Sequence, residues 1–143
     1  MIADARFWLI LAAILSAIAG LLHGAIIIGG PAWYRFFGAG ERMARAAEAR
    51  RPFPALITLA IMAVLLTWSA YALSAARLIP ELPFLSFALN AITAIYLVRG
   101  LALIPLWFSK RAATTQFEIW SSVICLGYGV VHAIALIKVW PTL

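Results

Sequence analysis

Apolar residues along this chain run in long continuous blocks, with neither the alternation of a half-buried strand nor the stripe of a soluble amphipathic helix. A helix needs about 20 mainly apolar residues to cross a hydrocarbon core of about 30 Å. Four blocks meet that length: 7–29, 54–74, 84–107 and 118–140. Period-two patterning is absent from all four, which argues against barrel strands. The first block is longer than the apolar core of a signal peptide and lacks a cleavage site before polar sequence, so it reads as a retained helix. The expected fold is all-α, a single four-span transmembrane domain forming a polytopic membrane four-helix bundle.

Between the blocks the polar positions fall unevenly. The first connection, 31–53, holds Arg35, Arg42, Arg45, Arg50 and Arg51. The second, around 75–83, is short and carries Arg77 and Glu81, and the third, 108–117, carries Lys110 and Arg111. With four spans, both termini share a side with the second connection. That side holds three positive charges (Arg6, Arg77, Lys138), against seven on the first and third connections. Positive charge collects on the cytoplasmic side, so the Arg-rich loop is expected inside and both termini on the non-cytoplasmic side. Trp8, Trp33, Tyr34, Trp107 and Trp140 fall near span ends, as interfacial aromatic anchors do. Within the basic loop, 41–51 is composed of helix formers. The spacing offers Glu41 to Arg45 and Glu48 to Arg51 as ion pairs on a short helix at the headgroups.

Composition agrees with the pattern. Of 143 residues, 66% are hydrophobic and 11% charged, and the mean hydropathy is +1.04. Soluble domains carry about 25% charged residues. The net charge of +6 therefore reads as membrane topology, with no nucleic acid as partner. A single cysteine, Cys125, excludes an intrachain disulfide and leaves no basis for a cysteine metal site.

Small residues four apart mark helix-packing seams: Ser16, Gly20 and Gly24 in the first span, and Ser121, Cys125, Gly129 and Ala133 in the fourth. Each seam carries a histidine three residues after a glycine, His23 and His132, an echo that fits either an inverted repeat or coincidence. With Arg99, these are the ionisable groups at membrane depth, where each costs about 2.5–3.5 kcal/mol to insert. A rise of about 1.5 Å per residue places His23 and Arg99 at a similar level toward the cytoplasm, and His132 on the outer side. His23, Arg99 and Tyr96, one turn before Arg99, are the expected lining of a cationic ligand-binding pocket. The simpler alternatives are snorkelling for Arg99 and a backbone carbonyl bond for each histidine. Asn90, Thr58 and Thr67 are expected to bond between helices. Two histidines raise b-type haem, but their depths differ by about 12 Å, which argues against shared axial ligation. Protease, hydrolase and nucleotide-binding motifs are absent, and so is a carboxylate in the middle of a span, which a proton-driven transporter would use.

The stretches GGPAWYRFFGAGERMA (29–44) and WSSVICLGYGVVHAIALIKVW (120–140) resemble a family of small four-helix proteins of proteobacterial inner membranes. That resemblance implies a bacterial inner (cytoplasmic) membrane location and supplies no activity. A second similarity is to the membrane-associated eicosanoid and glutathione metabolism family, through Glu41-Arg42-x-x-Arg45-Ala46 before a proline-led span. It implies glutathione as cofactor, a trimer, and Arg45 as the glutathione contact. The family's next asparagine and glutamate fall on Ala49 and Pro52, so those contacts are missing. The expected function is a non-enzymatic module that binds membrane lipid, another hydrophobic molecule or a partner protein. Anionic headgroups would meet its basic loop, and homo-oligomers would be compatible with the seams. The alternatives are a membrane-embedded glutathione- or lipid-modifying enzyme and a small transporter or channel.

Overall fold

The computed structural model describes residues 2–102, 104 and 115–142, and among them the chain is helical throughout, with no strand. Five helices follow in order: α1 (Ile2–Phe36), α2 (Glu41–Glu48), α3 (Phe53–Ala75), α4 (Leu85–Leu101) and α5 (Gln116–Val139), closed by a 3₁₀ turn at Trp140–Thr142. Three stretches, Asp4–Phe36, Phe53–Ala75 and Gln116–Val139, are long and apolar enough to cross a membrane, and they mark the chain as a membrane protein. Helix α4 has 17 residues. The remainder of the third expected span, with Trp107, and Lys110 and Arg111 in the third connection, lie outside the described residues.

Helix α1 is interrupted. Gly30 sits at φ 66°, ψ −151° and is followed by Pro31. Only glycine reaches that backbone region without strain, and a residue before proline is driven out of the helical region by the pyrrolidine ring. Pro31 then opens the final stretch, where its missing N–H and fixed φ are tolerated. Trp33 folds its ring back so tightly that a Cβ on Gly29 would lie 2.2 Å from it.

Three helix ends share one cap. After α1, Gly38 N–H donates to Arg35 O (3.1 Å) and Ala39 N–H to Tyr34 O (2.9 Å). Past α2, Arg50 N–H donates to Ala47 O (3.0 Å) and Arg51 N–H to Ala46 O (2.9 Å). Past α3, Arg77 N–H donates to Ser74 O (2.9 Å) and Leu78 N–H to Leu73 O (3.0 Å). Each is a Schellman motif with its turning residue in the left-handed region. Gly38 fills that position once, but Arg50 (φ 53°) and Arg77 (φ 56°) fill the other two. Helix α5 starts with a capping box: Glu118 N–H donates to Thr115 Oγ1 (3.2 Å), and Thr115 N–H donates to Glu118 Oε2 (2.7 Å). The T-x-x-E spacing at 115–118 is a recognisable start signal, and it sets the helix two residues ahead of the expected span.

By contact density the chain divides into two compact units, Met1–Leu15 with Trp68–Leu143, and Ser16–Thr67. The first buries Leu9, Ala75, Ala76, Leu89, Ala135 and Val139 together, with Ala12, Ala13 and Ala72 as a second cluster. Ser69 donates to Ala13 O (2.8 Å), joining α3 to α1, and Lys138 is ion-paired with Asp4. In the second unit, Ile26, Tyr34 and Ala44 form the buried centre. There Gly20 packs against Leu66 and Gly24 against Met62, so the glycines of α1 face α3.

The polar side chains expected to bond between helices mostly bond within them. Thr67 donates to Ala63 O (2.8 Å) and Asn90 to Ser86 O (2.8 Å), each four residues back in its own helix. Thr58 lies 2.8 Å from Pro54 O in its own helix and 3.2 Å from the Tyr34 hydroxyl of α1. A short side chain on a helix can reach the carbonyl one turn back, and apolar surroundings reward that bond whatever the neighbouring helix offers.

Candidate functional site

Two clusters of chemistry-bearing residues emerge, one in each unit. The first is on the α4–α5 hairpin. Here a Cβ on Gly100 would lie 2.6 Å from the Leu126 backbone, and one on Gly129 would lie 3.0 Å from Leu97 N. The two helices therefore touch backbone to backbone at positions that only glycine permits. That contact sets Arg99, beside Gly100, against the first turns of α5. Its Nη1 donates to Ser122 Oγ and its Nη2 to Ser121 Oγ, both at 3.0 Å. Both hydroxyls are neutral, so the guanidinium is held in place while keeping its full charge. Among the described residues no carboxylate forms an ion pair with Arg99. Arg99 is exposed, whereas Ser122 is buried.

One turn back along α4, Tyr96 occupies a different setting. Its ring is the hub of an aromatic cluster, with centroids 5.0 Å from Trp68, 5.6 Å from Tyr128 and 4.9 Å from His132. Tyr96 is 4% exposed and His132 3%. The Trp68 and Tyr128 contacts are edge-to-face, a geometry that adds about 0.5–1.5 kcal/mol beyond area burial. Their effect here is to lock α3, α4 and α5 together.

Both histidines make the same local bond. His23 Nδ1 lies 2.7 Å from Ala19 O and His132 Nδ1 lies 2.8 Å from Tyr128 O, each four residues back. A carbonyl only accepts, so each ring donates from Nδ1, and in the neutral form Nε2 is the acceptor. His23 belongs to the second unit, and Tyr96, Arg99 and His132 to the first. Among the described residues no group of three or more His, Cys, Asp or Glu side chains comes together to hold a metal.

The second cluster is the basic segment. Helix α2 turns Met43, Ala44 and Ala47 toward Ile26, Tyr34 and Phe37. Arg35, from the end of α1, grips α2 at both ends: Nε and Nη2 each reach Glu41 at 3.0 Å, and Nη1 reaches Glu48 at 2.8 Å. Glu41 also accepts from Arg45 Nε at 3.1 Å. The Glu41–Arg45 spacing is thus realised as an ion pair, but Glu48 pairs with Arg35 in place of Arg51. The left-handed turn at Arg50 ends the helix before Arg51 can stand one turn above Glu48. Glu41 is pulled down to about 2 from an ordinary 4.5, by its bonds to Arg35 first and Arg45 second. Beside this network lies a groove of about 590 Å³ lined by Glu41, Arg42, Arg45, Ala49, Arg51 and Phe53, among others.

No protein family, curated protein or solved structure matches this chain.

Proposed function

We propose that this protein is a small binding module of a bacterial inner membrane that holds an acidic, membrane-dissolved molecule by its headgroup at Arg99. The observation that carries this reading is the Arg99 guanidinium, on an apolar helix packed against the span candidate α5, whose partners are two neutral hydroxyls. A charge at such a position is costly, and serine bonds orient it without neutralising it. An anionic head supplies the missing countercharge, and its apolar body lies in the bilayer beside α4 and α5. Tyr96 and His132 act here as supports, because both are buried in the cluster that fixes the hairpin.

The same reading places both termini on the non-cytoplasmic side and the basic segment in the cytoplasm. It is supported by the charge asymmetry of the connections and by the Asp4–Lys138 pair, which brings the start of α1 beside the end of α5. The test is native mass spectrometry of gently extracted protein. Wild type should carry an acidic amphiphile, Arg99→Gln should carry one fewer per protein than wild type, and Arg99→Lys should keep that copy in part, since lysine retains the charge but not the fork. An undiminished count in Arg99→Gln, or a wild type that carries nothing, would overturn the proposal.

A further inference from the structure

The groove beside α2 points to a second binding site, independent of Arg99 and in the other compact unit. Residues Arg42, Arg45, Ala46 and Ala49 recur at i, i+3, i+4 and i+7, so they form one face of α2, and all four line the groove. Met43, Ala44 and Ala47, on the opposite face, are packed inward. Three guanidinium groups (Arg42, Arg45, Arg51) line the groove against one carboxylate, Glu41, which Arg35 already grips with two bonds. Arg42 and Arg51 have no ion pair among the described residues. At about 590 Å³ the space falls within the ordinary range for small-ligand sites.

What distinguishes this groove from a generally basic surface is where it leads. Its last lining residue, Phe53, is the first residue of the apolar helix α3. Positions 57, 61 and 64 continue the face of Phe53 along that helix. Ile57, Ile61 and Val64 are all large, apolar and exposed, at 48%, 42% and 47%. A cationic groove that runs directly onto an exposed apolar stripe matches a molecule with a phosphate at one end and acyl chains at the other. We infer that the α2 groove binds the phosphate headgroup of an anionic phospholipid, with Arg42 and Arg51 as its phosphate forks and the acyl chains along the Phe53 face of α3. An acidic soluble partner would use the arginines but would leave the α3 stripe unused.

The test uses the whole protein in nanodiscs of equal parts phosphatidylcholine and phosphatidylglycerol, with retained lipids counted by native mass spectrometry. Wild type should release from the disc enriched in phosphatidylglycerol. Arg42→Gln and Arg51→Gln should each cut that enrichment by about fivefold, as expected for one basic residue at an anionic surface. Arg77→Gln, which removes an exposed arginine beyond the other end of α3, should leave it intact. Arg42→Lys/Arg51→Lys preserves the charge and its surface attraction but loses the planar forks, so it should keep only part of the enrichment. Equal retention of the two lipids, or full enrichment in the double lysine variant, would overturn the site. Displacement of the lipid by soluble glycerol phosphate would assign the groove to a free phosphate compound and overturn the phospholipid assignment. Circular dichroism of each variant separates loss of binding from loss of fold. Arg99→Gln reads the other site, so the two proposals fail separately.

Discussion

Arg50 and Arg77 each occupy a left-handed position that glycine fills at the end of α1. A residue with a Cβ pays about 1–2 kcal/mol for that conformation. Both arginines sit where the helix carbonyls are exposed, and a cation there recovers part of the cost through the helix dipole. Replacing either by glycine is therefore expected to raise stability, by about 0.5–1 kcal/mol after the greater freedom of unfolded glycine is subtracted. Valine at either position should instead destabilise, because a branched Cβ worsens the same clash. Unfolding in mild detergent with rising denaturant would show the opposite signs, and equal shifts for glycine and valine would refute the argument. Such positions are illegible in the sequence, because arginine carries no turn signal and both look like ordinary topology charges. The T-x-x-E start of α5, by contrast, is legible from spacing alone.

At the scale of elements, α2 shows what spacing does and does not reveal. Glu41 and Arg45 are one turn apart on the same helix, so their ion pair could be read directly. Arg35 is on a different element, and its grip on both Glu41 and Glu48 depends on how the chain turns at Gly38 and Gly40. The same limit hid the partners of Arg99, because Ser121 and Ser122 are more than twenty residues away. Because Glu41 is lowered to about 2, its contribution to holding α2 is complete above about pH 4.5 and is lost as pH falls through about 2. Carbon NMR of the Glu41 carboxyl should show that low midpoint. In Arg35→Gln the midpoint should rise back toward 4.5, since the principal partner is gone. A midpoint that does not move would show that Arg35 is not what holds the carboxylate down.

Across the whole molecule, the hydrophobic blocks made the helical class and the membrane-spanning helices evident before any packing was known. Composition alone also showed that the positive charges concern sidedness, because seven of them cluster on two connections. The orientation that follows can be tested by labelling with a membrane-impermeant maleimide in a Cys125→Ala background. A cysteine replacing Arg42 should react only after the membrane is opened. One replacing Glu81 should react from outside in intact cells. The reverse pattern would invert the orientation and place the groove beside α2 against the other leaflet. What the linear pattern does not contain is the close approach of α4 and α5. That approach depends on Gly100 and Gly129 meeting specific neighbours, and glycines are frequent throughout membrane helices.

The break at Gly30 also serves as a depth gauge. Pro31 brings no N–H to the Ile27 carbonyl four residues back, and an unsatisfied carbonyl is tolerated only where water or headgroups reach it. On the proposed membrane reading, this places Gly30 at a hydrocarbon boundary. Counting back about 20 residues, the length that fills about 30 Å, sets the other boundary near Ile10. Residues 2–9 then extend about two turns past that boundary, with Leu9 and Trp8 still packed against the core formed with Ala75, Leu89 and Val139. On the same placement the exposed Asp4–Lys138 pair lies in water, where added salt will loosen it.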